Sequence, residues 1–91
     1  MADVGGDLAT LRQLKSDLDT SASQAADLKS RLDRSVGSAV WRGPNAERFR
    51  AAWADFAPVF TRLQNSLADA SEDVRDQHNN LAAATGSGES V

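Results

Sequence analysis

The chain has 91 residues, with 10 basic and 13 acidic side chains that give a net charge of −3, and it contains no cysteine. This length indicates one small domain, and the missing thiols exclude disulfides and cysteine-bound metals. The acidic balance argues against a nucleic-acid partner, and the one histidine, His78, is too little for a His-based metal or catalytic site.

The first predicted element is a helix over about residues 7–37. Its apolar and small residues recur at spacings of three and four, which is typical of a helix and not of strand alternation. Asp7 is expected to cap its start, and Gly37 to end it, because glycine tolerates the left-handed backbone that follows many helices. One heptad series comprises Leu11, Leu18, Ala25 and Leu32, and its companion comprises Leu14, Ser21, Leu28 and Ser35.

A turn over about residues 38–43 separates this helix from a second helix over about residues 44–84. Gly43 is expected to cap the second helix, and Pro44 suits its first turn, where a missing N–H has no cost. Pro58 lies inside the pattern, and because the apolar series continue through it we expect one kinked helix; a break at Pro58 is the alternative. One series comprises Ala46, Trp53, Phe60, Leu67, Val74 and Leu81, and the other comprises Phe49, Phe56, Leu63, Ala70, Gln77 and Ala84. Residues 85–91 are predicted to form a flexible tail.

Together these elements predict an all-α antiparallel hairpin. With the turn centred near residue 40, Leu28 faces Trp53, and small residues of helix 1 face large residues of helix 2, as interdigitated packing requires. In this register the second helix is longer than the first. The residues after about Asp73 are therefore expected to lack a facing partner within the hairpin.

The apolar stripe of the second helix is wider than one facing helix can cover. We therefore predict that two hairpins associate into a four-helix bundle. A monomer, in which the additional alanines are ordinary helix formers, is the alternative. The predicted dimer interface comprises Phe49, Trp53, Phe56, Val59, Phe60, Leu63 and Leu67.

The turn contains Trp41-Arg42-Gly43, and this motif at mid-chain resembles the WXG family of ESAT-like proteins, the substrates of ESX or type VII secretion. The resemblance extends over nearly the whole chain. It also includes the length, the absence of cysteine and the stretch "AERFRAAW" that follows the motif.

The resemblance implies export of a folded dimer by a membrane ATPase complex of actinobacteria and related Gram-positive bacteria. It also implies that Trp41, Arg42 and Gly43 contribute to a composite secretion signal with the partner's second helix. The protein would be neither an enzyme nor a cofactor-binding protein, and it would be cytoplasmic before export. The chain has no apolar run of about 18 residues for a membrane span, and its start lacks the basic and apolar segments of a Sec signal peptide.

In this family the composite signal usually contains Tyr-x-x-x-Asp/Glu in one partner of the dimer, whereas this chain contains no tyrosine. The absence favours a heterodimer in which a second WXG-type chain supplies the tyrosine motif. The alternative is a homodimeric effector or chaperone that uses another C-terminal feature, around His78 and Leu81.

Three further alternatives concern other classes of protein. A metal enzyme is disfavoured because the late acidic residues spread over more than one helical face, and His78 is expected to be a partly exposed surface residue. A membrane-active amphipathic helix usually has a basic polar face, which this chain lacks. A stand-alone dimerisation module of a cytoplasmic or phage assembly stays open. The acidic residues concerned are Asp69, Glu72, Asp73 and Asp76.

Overall fold

The computed structural model describes residues 6–91, which form two α-helices. Helix α1 spans Leu8–Ser38 and helix α2 spans Pro44–Thr85. The two helices pack along their length into an antiparallel hairpin that measures 64 × 21 × 15 Å. The predicted all-α hairpin is therefore confirmed.

Helix α1 begins as its sequence predicts but ends differently. The Asp7 carboxylate accepts a hydrogen bond from the Ala9 N–H at 2.9 Å and caps the first turn. Gly37, however, is helical, and α1 continues to Ser38. Ala39 then takes an extended conformation (φ −64°, ψ 128°) while its N–H still bonds to the Ser35 carbonyl. The prediction that Gly37 ends this helix is wrong. The helix ends at an extended residue, Ala39, and an extended conformation does not require glycine.

Helix α2 has a glycine at each end. Gly43 precedes it with φ 114°, a conformation that favours glycine, and Pro44 occupies the first turn. Gly86 ends it with φ 73°. There the Ser87 N–H bonds to the Ala82 carbonyl at 3.0 Å and the Gly86 N–H to the Ala83 carbonyl at 3.3 Å, which together form a Schellman motif.

Pro58 lies inside α2 without ending it. Both Pro58 and Ala54 are exposed, so the Ala54 carbonyl, which loses its helical donor to the proline, is accessible to water. The prediction of a single second helix is confirmed, and the alternative of two helices broken at Pro58 is wrong.

The seam between the helices uses only one of the two heptad series predicted for each helix. Leu11 and Leu18 of α1 and Trp53 and Phe60 of α2 are partly buried in it, as expected. Most residues of the companion series are instead exposed, although Ser21 and Ala70 are partly buried. The seam is completed by the residues that follow the companion series in the sequence. Small side chains at these positions allow close approach of the helices. The buried small residues are Ala22, Ala25, Ala46, Ala57, Ser71 and Ala82.

The register of the hairpin also differs from the predicted one. The Trp53 indole contacts Asp33 and the Ser71 hydroxyl contacts Asp19, so Trp53 lies further along α1 than Leu28, the predicted partner. The predicted pair Leu28–Trp53 therefore does not describe the seam. The shift arises because the backbone reverses at Gly43, later than the assumed centre near residue 40.

This register covers the end of α2 that was expected to lack a partner. His78 and Ala82 are completely buried, and Leu81 is partly buried beside Gly6. The prediction of an unpaired overhang after Asp73 is wrong. The following tail also contacts the hairpin: Glu89 forms an ion pair with Arg12 at 3.2 Å, and the Val91 N–H donates to Asn79 Oδ1 at 2.9 Å.

Candidate functional site

One side of the hairpin exposes a row of large apolar side chains contributed by both helices. We define it as the apolar face, and its residues are between 37% and 52% exposed. Exposure of this size at regular helical spacing is typical of an association surface. The apolar face comprises Leu14 and Leu28 of α1 and Phe49, Phe56, Val59 and Leu63 of α2.

The structure divides the predicted dimer interface into two groups. Phe49, Phe56, Val59 and Leu63 belong to the apolar face, whereas Trp53, Phe60 and Leu67 are partly buried. Sequence reasoning did not include Leu14 and Leu28 in the interface because it assigned their heptad series to the intramolecular seam. Leu14 and Leu28 stand two heptads apart, and Phe49 and Phe56 stand one heptad apart. This shared heptad period is the signal that could have placed both leucines on the apolar face.

Three aromatic side chains connect the seam to the apolar face. The Phe56 and Phe60 rings make an edge-on contact with centroids 5.5 Å apart, and the Trp53 ring lies 5.9 Å from Phe60 and 6.3 Å from Phe56. These distances are in the range of favourable aromatic pairs. The cluster therefore supports the exposed Phe56 ring from beneath.

A cavity of about 330 Å³ opens on the apolar face, and its lining residues are Phe49, Ala52, Trp53 and Phe56. Ala52 is the smallest of the four and leaves space between the three aromatic rings. An open apolar cavity of this kind accepts an apolar group. Its walls carry no group with catalytic chemistry.

The turn is fixed by an arginine of α2. Arg50 donates to the Trp41 carbonyl at 2.9 Å and to the Ala39 carbonyl at 3.2 Å, so these two backbone acceptors are satisfied without regular structure. The Trp41 ring lies 5.8 Å from the Phe49 ring, yet Trp41 remains 45% exposed. Arg42 is exposed beside it.

Two carboxylates of α1 bond to side chains of α2. Asp33 accepts from Lys29 at 2.8 Å and from the Trp53 indole at 2.8 Å, and these hydrogen bonds lower the pKa of the Asp33 carboxyl. Asp19 likewise accepts from Lys15 and Ser71, which lowers the pKa of its carboxyl. Both interactions favour the ionised carboxylate and hold the helices in register.

His78 differs from its prediction as a partly exposed residue, because its side chain is 0% exposed. The Nδ1 atom lies 3.1 Å from Asn79 Oδ1, whereas Nε2 has no hydrogen-bond partner among residues 6–91. The shifted seam explains this burial, since His78 belongs to the heptad series of Ala57 and Ser71. The acidic residues considered as metal ligands form no such site: residues 6–91 contain no cluster of His, Cys, Asp or Glu arranged to hold a metal ion.

The fold defines a helical hairpin protein with an exposed apolar face and a Trp-x-Gly turn. The family model for WXG100, described as proteins of 100 residues with WXG, matches residues 6–84, and the chain belongs to this family. No curated protein and no solved structure matches the chain.

Membership of this family implies a secreted helical hairpin protein of the ESX type, and the proteins of this family are non-enzymatic secreted effectors. Proteins of the family leave the cell through type VII secretion, and the family indicates association with another WXG protein. Neither helix described here has an apolar stretch long enough to cross a membrane.

Proposed function

We propose that this protein is exported by a type VII secretion system as a folded dimer, with the apolar face as its dimer interface. The observation that supports this most directly is the exposure of Phe49, Phe56 and Leu63 on a hairpin whose own seam uses other residues. Burial of an apolar side chain of this size contributes about 1.5–3 kcal/mol when it is complete. A second hairpin on this face would complete a four-helix bundle.

The turn is proposed to contribute to recognition by the secretion machinery. Trp41 and Arg42 are exposed at the tip of the hairpin, while Gly43 provides the positive φ that the connection requires. Trp41 is outside the seam and is held by Phe49 and by the bonds of Arg50 to the turn. An exposed aromatic side chain on a fixed backbone is suited to binding another protein.

For export, the proposed partner is a second WXG-type chain that carries Tyr-x-x-x-Asp/Glu. The reason for proposing this partner is the absence of tyrosine from this chain. The end of α2 adds no support, because His78 and Ala82 are buried within the hairpin. In the proposed complex, this chain supplies the Trp41–Gly43 turn and the partner supplies the tyrosine signal. The membrane ATPase of the secretion system would bind the composite surface.

A secretion assay in the native host tests this proposal. The gene for the tyrosine-bearing WXG-type chain is deleted, and the culture supernatant is analysed for this protein, with restoration of the gene as the control. Loss of export with normal intracellular levels is expected. Unchanged export would contradict the heterodimer and favour a homodimer as the exported form, and retention in the cell with every partner present would contradict export itself.

A further inference from the structure

Positive charge is concentrated at the turn end of the hairpin. We define the basic tip as residues 34–54, which comprise the last turn of α1, the connection and the first three turns of α2. It contains four arginines and one acidic residue, Glu47, whereas the rest of the sequence contains six basic and twelve acidic residues. The basic tip therefore has a net charge of +3, and the remaining chain has a net charge of −6. Along a hairpin 64 Å long, this separation gives the two ends opposite potentials, so the basic tip attracts anionic groups that the rest of the surface repels.

Most of the arginines in the basic tip are available to an external acceptor. Arg34, Arg42 and Arg48 are exposed, and none of them forms an ion pair within residues 6–91. The fourth, Arg50, differs from them because it donates to two carbonyls of the turn and also lies 3.7 Å from the Glu47 carboxylate. One arginine therefore holds the turn in place while the other three present their guanidinium groups to solvent.

An exposed tryptophan lies among these arginines. Trp41 directly precedes Arg42 and is 45% exposed, with its ring 5.8 Å from the Phe49 ring. Its backbone is held by the Arg50 hydrogen bond to its carbonyl and by the bond from its own N–H to the Ala39 carbonyl at 3.1 Å. Tryptophan and arginine are among the residues that contribute most to the binding energy of protein interfaces. Because the backbone is already fixed, little conformational entropy is lost when a partner binds.

The arginines also define the chemistry of the partner. A guanidinium group forms two parallel hydrogen bonds with a carboxylate, a geometry that a lysine cannot provide. The three exposed arginines belong to the end of α1, the connection and the start of α2. A matching ligand must therefore present several carboxylates within a short distance, together with an apolar side chain for Trp41. A protein segment rich in aspartate and glutamate that also contains an apolar residue meets both requirements.

Two other anionic surfaces match the basic tip less well. An anionic bilayer recruits clusters of about four to eight basic residues, whereas the basic tip has three arginines without an ion pair among the described residues and a Glu47 side chain that is 79% exposed. A nucleic-acid duplex would extend its phosphates past the basic tip and along the part of the chain with a net charge of −6, which repels them. An acidic protein segment can instead place its carboxylates opposite the arginines alone.

We infer that the basic tip binds an acidic segment of a protein partner, with carboxylates on Arg34, Arg42 and Arg48 and an apolar side chain on Trp41. The inference rests on the role of the turn in the proposed function, under which the acidic segment belongs to the secretion machinery. It adds the chemistry of the partner and two residues outside the turn, Arg34 and Arg48. None of the four contact residues belongs to the apolar face, which stays available to the second hairpin.

Peptide binding to the purified full chain tests this inference. The probe is a fluorescently labelled synthetic peptide of glutamate and leucine, and the control peptide has glutamine in place of each glutamate. Fluorescence anisotropy should show that the wild type binds the glutamate peptide, that this binding weakens as salt increases, and that the glutamine peptide binds far less. The combined substitutions Arg42→Glu and Arg48→Glu should raise the dissociation constant about tenfold or more. Arg31→Glu combined with Arg62→Glu changes the net charge equally at exposed arginines outside the basic tip, and should raise it less than about threefold.

The same variants are compared in the secretion assay, after circular dichroism and light scattering have shown that they fold and associate like the wild type. The protein with Arg42→Glu and Arg48→Glu should stay in the cell at a normal intracellular level. The protein with Arg31→Glu and Arg62→Glu should be exported. Arg42→Lys combined with Arg48→Lys keeps the charge but removes the paired hydrogen bonds, so it should be exported at a reduced level.

Several results would overturn the inference. The first is equal binding of the two peptides by the wild type. The second is binding of vesicles of phosphatidylglycerol and phosphatidylcholine without binding of the glutamate peptide, which would assign the basic tip to a membrane surface. Normal export of the protein with Arg42→Glu and Arg48→Glu, together with loss of export of Trp41→Ala, would also overturn it but leave the role of the turn in recognition intact. Charge-dependent peptide binding by a protein that is never exported would contradict the proposed function and support the inference.

Discussion

The Trp53 indole N–H donates a hydrogen bond to Asp33 Oδ1 at 2.8 Å and thereby joins the aromatic cluster of α2 to α1. Trp53 thus has two roles, since its indole N–H bonds across the seam and the residue also lines the cavity on the apolar face. The register of the seam and the shape of the association surface therefore depend on the same residue.

This contact leads to a prediction about acid stability. The pKa values of the Asp33 and Asp19 carboxyls are lowered in the folded chain. The ionised carboxylates therefore stabilise the fold at pH values above the pKa of the unfolded state. This stabilisation is lost as the pH falls through the pKa of the folded state. The urea midpoint of the wild type should fall as the pH drops below about 4. Asp33→Asn should show a smaller fall over this range, whereas Asp27→Asn, which removes an exposed carboxylate without these bonds, should retain the wild-type profile. Equal pH profiles for all three proteins would contradict the assigned role of Asp33.

Close approach of the helices predicts a strong effect of side-chain volume at Ala57. Ala57 is buried in the seam, so Ala57→Leu should overpack it and reduce the free energy of unfolding by about 1–3 kcal/mol. Ala54→Leu, three residues earlier on the exposed side, should change it by less than about 0.5 kcal/mol. Urea denaturation monitored by circular dichroism gives both values. Similar stability of the two variants would show that the seam is loosely packed.

The buried histidine predicts a stabilising substitution. His78 Nε2 is buried and has no hydrogen-bond partner in the part of the chain that the structure describes, a situation that costs about 1–3 kcal/mol relative to an apolar side chain of similar shape. His78→Leu should therefore raise the melting temperature, whereas His78→Ala should lower it by leaving a cavity. Differential scanning calorimetry distinguishes these outcomes. A lower melting temperature for His78→Leu would indicate that Nε2 has a partner in solution.

The helical content and the hairpin could be predicted from sequence because apolar spacing and the Gly43-Pro44 pair are local signals. The face of each helix that packs inside the hairpin could not, because Leu14, Leu28, Phe49 and Phe56 compete with small residues for the seam. Periodicity alone does not show that the seam is formed by Ala22, Ala57 and Ser71, whose small side chains let the helices approach more closely. The burial of His78 was missed for the same reason, since it follows from a one-residue shift of the seam.

The division between seam and apolar face predicts separable effects of two phenylalanine substitutions. Phe56 is exposed, so Phe56→Asp should leave the hairpin folded but place a charge in the association surface and abolish dimerisation. Phe60→Asp should also destabilise the hairpin itself, because Phe60 is partly buried between Trp53 and Phe56. Light scattering during gel filtration reports association and circular dichroism reports folding, with exposed Ala54→Asp as the control. A dimeric Phe56→Asp protein would contradict the proposed interface.

The exposed tryptophan of the turn predicts a variant that folds normally but is not exported. Trp41 contacts Phe49 at the tip of the hairpin and lies outside both helices, so Trp41→Ala should retain the wild-type helicity and dimerisation. If Trp41 contributes to the secretion signal, the same variant should be absent from the culture supernatant while its intracellular level stays normal. Trp41→Phe keeps an aromatic ring against Phe49 and so separates packing from recognition. Full export of this variant would show that an aromatic contact suffices, whereas loss of its export would assign the recognition role to the indole. Val40→Ala changes the neighbouring residue, which is 95% exposed, and should be exported normally. Wild-type export of Trp41→Ala would remove Trp41 from the proposed recognition surface, because the fold would then require only Gly43 and the bonds made by Arg50.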